Sequence, residues 1–221
     1  MPERVRFAHE DLEFARAVTF FDAIFAFAVT LLITTVDDFS PAAWSSLQAL
    51  KETNGPSLLA FTISFVVVVS FWRAHHQGVT SLSAMDGQLL GLNLVVMFGI
   101  VLIPFTTEAL GKLNLPLPVA VYALDIALTY LALNAVELIA DRRGLRPTRM
   151  TTPELRSHLA ISTVLPVIFL ASLPIAYLVS PRIAQWSWAL TAVLIPVVRR
   201  ITRPGTTGSA NSASTTQDNA E

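Results

Sequence analysis

Cysteine is absent from the 221 residues of this chain, which removes disulfides, thiolate metal sites and a cysteine nucleophile together. Charge is scarce too: Asp, Glu, Lys and Arg make up 14% of residues, against roughly 25% in an average soluble domain. With 53% of residues apolar, that shortage indicates a membrane protein. The net charge is -1, so no global basic field points to nucleic acid, and the arginines carry meaning only through where they cluster. No H-E-x-x-H, G-x-S-x-G, P-loop or dinucleotide fingerprint occurs, so nothing marks an enzyme or a cofactor site. The amino terminus, MPERVRFAHEDLEFAR, lacks the basic, apolar and small-residue succession of a cleavable signal.

What is present is a series of long apolar stretches. Six helices are expected to span the membrane, over about 14–36, 56–75, 87–108, 118–140, 154–179 and 183–198, against the roughly 20 residues a crossing helix needs. The last of them is short. Asn54-Gly55 closes a polar connection, and Pro56 suits a first helical turn, where its missing N–H costs nothing. Asp86 reads as an N-cap, and Thr152-Pro153-Glu154 as cap, first position and acidic first turn. Pro104, Pro166 and Pro174 are expected to bend their helices. From Pro204 onward the residues are Gly, Ser, Thr, Asn and Ala without an apolar period, the composition of a disordered polar tail over 204–221. The expected fold is therefore an all-α membrane protein with one six-helix domain over 1–203.

Six spans segregate the basic residues sharply. One side holds Arg4, Arg6 and Arg16, then Arg73, then Arg142, Arg143, Arg146, Arg149 and Arg156, and finally Arg199, Arg200 and Arg203; the other holds only Lys51, Lys112 and Arg182. The positive-inside rule puts the first group in the cytoplasm, and both termini with it. An odd number of spans destroys the segregation. Anionic-lipid contact is a secondary role open to the basic loop between Arg142 and Arg156.

The first apolar stretch, RAVTFFDAIFAFAVTLLITTV from Arg16 to Val36, carries a carboxylate within two turns of its start. An Asp near the middle of a spanning helix costs roughly 2.5–3.5 kcal/mol on insertion scales, less near the interface, so Asp22 is expected to face protein or water. At about 100° per residue, Arg16, Phe20, Ala23, Phe27, Thr30, Leu31 and Thr34 form one stripe, and Asp22, Ala26, Val29 and Ile33 another. One stripe can line a conduit while the other packs on the subunit's own helices; ordinary helix packing accounts for such stripes as well. Helix two ends F-W-R-A-H-H, bringing Trp72, Arg73, His75 and His76 to the depth of Arg16 and Asp22. An imidazole and an indole N–H there can satisfy a buried carboxylate, with Asn93 of helix three as a further partner. Read singly, Trp72 is an interfacial anchor and the two histidines are solvated loop residues. Adjacent histidines on a helix point about 100° apart, so no metal site is expected. Asp125, Asn134 and Glu137 in helix four are the other polar groups within spans. Asp125 could serve as a proton or ion site, pair with a neighbouring helix or face an outer water pocket, and Glu108 and Glu137 fall near span ends, where solvation is the default.

The combination R-x-x-x-F-x-D at Arg16, Phe20 and Asp22, A-x-x-x-T-L-L from Ala26 to Leu32, W-x-x-H-H from Trp72 to His76, then Asp86, Asn93-Leu94 and I-P-F from Ile103 to Phe105 resembles the transmembrane protein 175 family of potassium channels. The matches cover the first three helices in order and spacing; the last three match only as hydrophobic spans. The resemblance implies a six-helix subunit that assembles as a homotetramer around a pore lined by helix one, without a T-V-G-Y-G carbonyl filter, which does not occur here. It also implies a packing network around helix one carried by Arg16, Phe20, Asp22, Trp72, His75 and Asn93, and pore-lining positions at Phe27, Thr30, Leu31 and Thr34. Such a pore gates or selects by a hydrophobic constriction with hydroxyls nearby.

Two positions depart from the family pattern. The usual Ser before the Asp is Phe21, so one hydroxyl is missing from the network, and the innermost constriction position, typically Ile or Leu, is Phe27. The expected function is a potassium-permeable cation channel, with protons or other monovalent cations as further permeants and membrane lipids as surroundings. The competing readings are a proton-coupled secondary transporter using Asp22 or Asp125, and a non-conducting membrane scaffold.

Overall fold

The computed structural model describes residues 6–36, 40–188 and 190–202. The polar tail expected over 204–221 and the Asp37-Asp38 pair after the first span lie outside the described residues. In chain order the elements are β1 (Arg6–Ala8), α1 (Leu12–Leu32) with a 3-10 turn (Ile33–Thr35), α2 (Leu47–Thr80), β2 (Ala84–Asp86), α3 (Gly87–Lys112), α4 (Pro116–Arg142), α5 (Thr152–Leu178), α6 (Pro181–Ser187) and α7 (Leu190–Thr202). Five of these helices, α1 to α5, are long and apolar enough to cross a membrane.

The stretch expected to form a sixth span is divided. α6 has 7 residues and α7 has 13; at 1.5 Å per residue neither alone reaches across a hydrocarbon core of about 30 Å. The division falls at Trp188, which is 2% exposed. Its indole N–H donates to Ser172 Oγ at 2.9 Å and its ring stacks on Phe169, with centroids 4.7 Å apart. Burying that indole against α5 fixes the chain where α6 ends.

At two helix starts a side chain caps the helix earlier than the sequence expectation. α2 begins at Leu47, because Ser46 Oγ accepts from the Ala49 N–H. Asn54, Gly55 and Pro56, expected as a loop end and first turn, instead lie inside α2. The α5 cap is Thr151, one residue earlier than expected: Glu154 reaches back to the Thr151 N–H at 2.8 Å, closing a capping box. Asp86 does cap α3, accepting from Leu89 N–H at 2.9 Å. Pro104, Pro166 and Pro174 all lie inside their helices.

α3 and α4 form the centre of the bundle, with α1 and α2 packed on α3, α5 on α4, and α6 and α7 on α5. The α3–α4 approach is close because Gly99 has no side chain: a Cβ there comes within 1.9 Å of Thr129 Oγ1. Small residues at such crossings let backbones meet where lipid supplies no hydrophobic drive. An element not foreseen from the sequence is the antiparallel ribbon of β1 and β2, pairing Arg6 with Asp86 and Ala8 with Ala84. It ties the segment before α1 to the α2–α3 connection. Asp86 also pairs with Arg143 at 2.9 Å, and the Ser83 N–H donates to Leu145 O at 2.8 Å. The entry to α1 is thus fixed to the start of α3 and to the basic loop.

Candidate functional site

α1 has three faces, not two. Phe14, Phe21, Phe25, Ala28 and Leu32 are buried, a stripe spaced at the helical period and turned to α2 and α3. Phe27, Leu31 and Phe20 are 70%, 50% and 52% exposed, and Arg16, Thr30 and Thr34 are exposed beside them. By helix geometry this outward stripe lies roughly 140° from the buried one. The expectation that Asp22, Ala26, Val29 and Ile33 pack inward needs correcting. Asp22 and Val29 are half-buried, whereas Ala26 and Ile33 are exposed, because their stripe sits at the flank of the helix, about 100° from its buried centre.

Asp22 Oδ1 accepts from the Trp72 indole N–H at 3.0 Å. A carboxylate is an acceptor only, so the indole N–H meets it directly and the bond joins α1 to α2. Trp72 is held in turn by stacking on His76, with centroids 5.5 Å apart. Asp22 and Trp72 also line a largely apolar groove with Phe25, Ala26, Val29 and Val69 between the two helices.

His75 and Asn93 form a second pair. His75 is 2% exposed and Asn93 fully buried. Asn93 Nδ2 donates to Leu89 O at 2.8 Å, which turns its carbonyl oxygen to His75; the imidazole Nε2–H donates to that oxygen at 2.9 Å. Phe21 meets the imidazole edge-on at 5.3 Å, and Phe25 lies tilted against it at 5.5 Å, centroid to centroid. Phe21, buried and edge-on to the imidazole, stands beside the second pair. Among the described residues no hydrogen bond joins the two pairs. Arg16 joins neither, and Phe20 reaches them only through the Phe21 ring at 6.2 Å.

Sequence reasoning missed a buried hydroxyl cluster. Ser64 Oγ lies 2.9 Å from Tyr122 Oη, and Thr107 Oγ1 lies 2.7 Å from the same Ser64 oxygen. One helix turn away, Thr106 Oγ1 donates to Asp125 Oδ2 at 3.3 Å and Thr129 Oγ1 approaches Oδ1 at 3.5 Å. Hydroxyls scattered singly through apolar stretches give no periodic signal; only the meeting of α2, α3 and α4 reveals them as one cluster. Glu137, expected to be solvated, instead pairs with Arg146 at 3.3 Å and His158 at 3.5 Å. Asn134 donates to Tyr130 O at 2.8 Å. No three His, Cys, Asp or Glu side chains converge as metal ligands among the described residues.

Comparison with known proteins supplies the remaining constraint. Residues 16–104 match the family model described as endosomal/lysosomal potassium channel TMEM175. A potassium channel of Chryseobacterium sp. (strain P1-3) is 27% identical over 128 residues, 58% of this chain and 65% of that protein. A potassium channel of Streptomyces collinus is 30% identical over 155 residues, 66% of this chain and 73% of that protein. The match to the Chryseobacterium protein thus spans a little under two thirds of its length. The family match begins at Arg16 and takes in α1, α2 and most of α3, the helices that carry both polar pairs.

Proposed function

The chain belongs to the transmembrane protein 175 family of potassium channels, and from that premise we propose that this multi-pass membrane protein is a potassium-permeable cation channel. In this reading four copies set α1 around a shared pore, with the first group of arginines and both termini in the cytoplasm of a cell membrane. α6 and α7 together make the sixth crossing, their combined length of about 30 Å matching the hydrocarbon core.

The observation that carries the reading is the outward stripe of α1. Phe27, at 70% exposure, stands on a helix whose opposite face is packed and whose flank is clasped by Trp72. A subunit that fixes one helix so firmly while leaving Phe27, Thr30, Leu31 and Thr34 uncovered is suited to presenting them to other copies. Thr30 Oγ1 donates to Phe27 O at 2.9 Å and Thr34 Oγ1 to Leu31 O at 2.7 Å. With its proton used on the helix, each hydroxyl oxygen offers lone pairs outward, the polarity a dehydrating cation needs. Around a four-fold axis, Phe27 forms the apolar constriction, Leu31 a second apolar layer, and the threonines the oxygen-bearing layers between and beyond them.

The test is a potassium flux assay in liposomes together with the mass of the detergent complex. A channel passes potassium down its gradient without a coupled ion, and its complex has the mass of four chains. A proton-coupled transporter shows obligatory coupling, a scaffold shows no flux, and a monomeric complex removes the shared pore altogether.

A further inference from the structure

At the end of the bundle opposite the basic loop, α2, α3 and α6 enclose a cavity of about 670 Å³. Lys51 of α2, Lys112 of α3 and Arg182 of α6 all line it. They are the three basic residues that the sequence assigns to that side, drawn from three separate elements to one place. Among the described residues no Asp or Glu lines the cavity. Lys112 pairs with Glu108 one turn back along α3 at 2.8 Å; Lys51 and Arg182 have no carboxylate partner among the described residues. With Lys112 compensated by Glu108, Lys51 and Arg182 are the two cations left at the cavity without a carboxylate, and a bound anion there is attracted by both.

The rest of the lining is amphiphilic. Gln185 is 5% exposed and lines the cavity wall, where its amide can offer both a donor and an acceptor. Leu59, Leu110 and Trp186 complete an apolar side, and Trp186, 61% exposed, is of the residue type that concentrates at membrane interfaces. A free phosphate ion uses the cations and the amide but nothing of the apolar side. A phospholipid uses both.

We propose that this cavity binds an anionic phospholipid, its phosphate between Lys51 and Arg182 and its acyl chains along Leu59, Leu110 and Trp186. The site is distinct from the basic loop and requires only that the chain lie in a membrane, so it stands or falls separately from ion conduction. The full-length protein, delipidated in detergent, is titrated with phosphatidylglycerol or phosphatidylcholine and bound lipid is counted by native mass spectrometry. Phosphatidylglycerol is expected to be retained on the order of tenfold more strongly, as two cations near an anionic headgroup imply. Lys51→Gln with Arg182→Gln is expected to erase that preference, while Arg142→Gln in the basic loop leaves it intact. Arg182→Gln alone, at an exposed position, serves as the second variant and is expected to lose most of it. Equal retention of the two lipids, or a preference unchanged in both cavity variants, overturns the assignment. If inorganic phosphate alone raises the melting temperature as far as phosphatidylglycerol does, the cavity is a free-anion site and the lipid assignment is overturned.

Discussion

Phe27 concentrates the functional question at the scale of single residues. Four phenyl rings make a bulkier plug than four isoleucines, and hydrophobic constrictions close a pore by excluding water. Phe27→Ala is expected to raise basal potassium flux in liposomes several-fold; unchanged flux counts against its role as the narrowest point. The two polar pairs make a separate prediction about stability. Asn93 is fully buried and serves both Leu89 O and His75, so Asn93→Leu strands the imidazole N–H. A buried donor left unsatisfied costs about 1–3 kcal/mol, which should appear as a lowered melting temperature in detergent. Asp22→Asn keeps an acceptor oxygen for the Trp72 indole and is expected to preserve assembly, whereas Asp22→Leu, which removes it, is expected to weaken assembly. The motif residues were legible in the sequence because charge and nitrogen-bearing side chains are rare in spans. Their partition into Asp22–Trp72 and His75–Asn93 was not, since it depends on how α1, α2 and α3 meet, which no sequence period records.

Among the elements, α3 and α4 set the limits on change. Gly99 faces Thr129 so closely that a methyl there must push the helices apart. Gly99→Ala is expected to destabilise by about 1–3 kcal/mol, the ordinary cost of overpacking, and Thr129→Gly in the same chain should restore part of it, a double-mutant cycle read by thermal unfolding. Thr151→Ala, which opens the α5 capping box, is expected to cost about 1 kcal/mol by the same measurement. Helix starts show why element boundaries are harder to read than element existence. Asn54-Gly55-Pro56 reads locally as a loop end followed by a helix start, yet α2 begins earlier, at the Ser46 cap, and runs on through all three residues. The division of α6 from α7 has a similar origin, because the Trp188 indole finds Ser172 only once α5 is in place.

For the whole molecule, the arrangement leaves one face of α1 uncovered in a single copy. Phe27, Leu31 and the neighbouring Phe20 are all at least half exposed on a helix anchored at its entry by the β1–β2 ribbon. The expected outcome of measuring the complex in detergent is four chains, with Phe27 accessible to cross-linking between copies when replaced by cysteine; the absence of native cysteine makes the experiment clean.

The sequence by itself determined that the chain is helical and lies in a membrane, which family it belongs to, and which stripe of the first helix is set apart from Asp22. Those properties are written in composition, in spacing along a 3.6-residue period and in the rarity of charge within apolar runs, all local quantities. It took the packing of the helices to show that α1 has three faces, that Asp22 bonds Trp72 while His75 bonds Asn93, that Ser64, Thr107 and Tyr122 form one cluster, and that Lys51, Lys112 and Arg182 share one cavity. Each of these depends on residues far apart in the chain meeting through the packing of α2, α3, α4 and α6, and the angles at which helices meet are fixed by side-chain shape across the interface, which no single stretch of sequence contains.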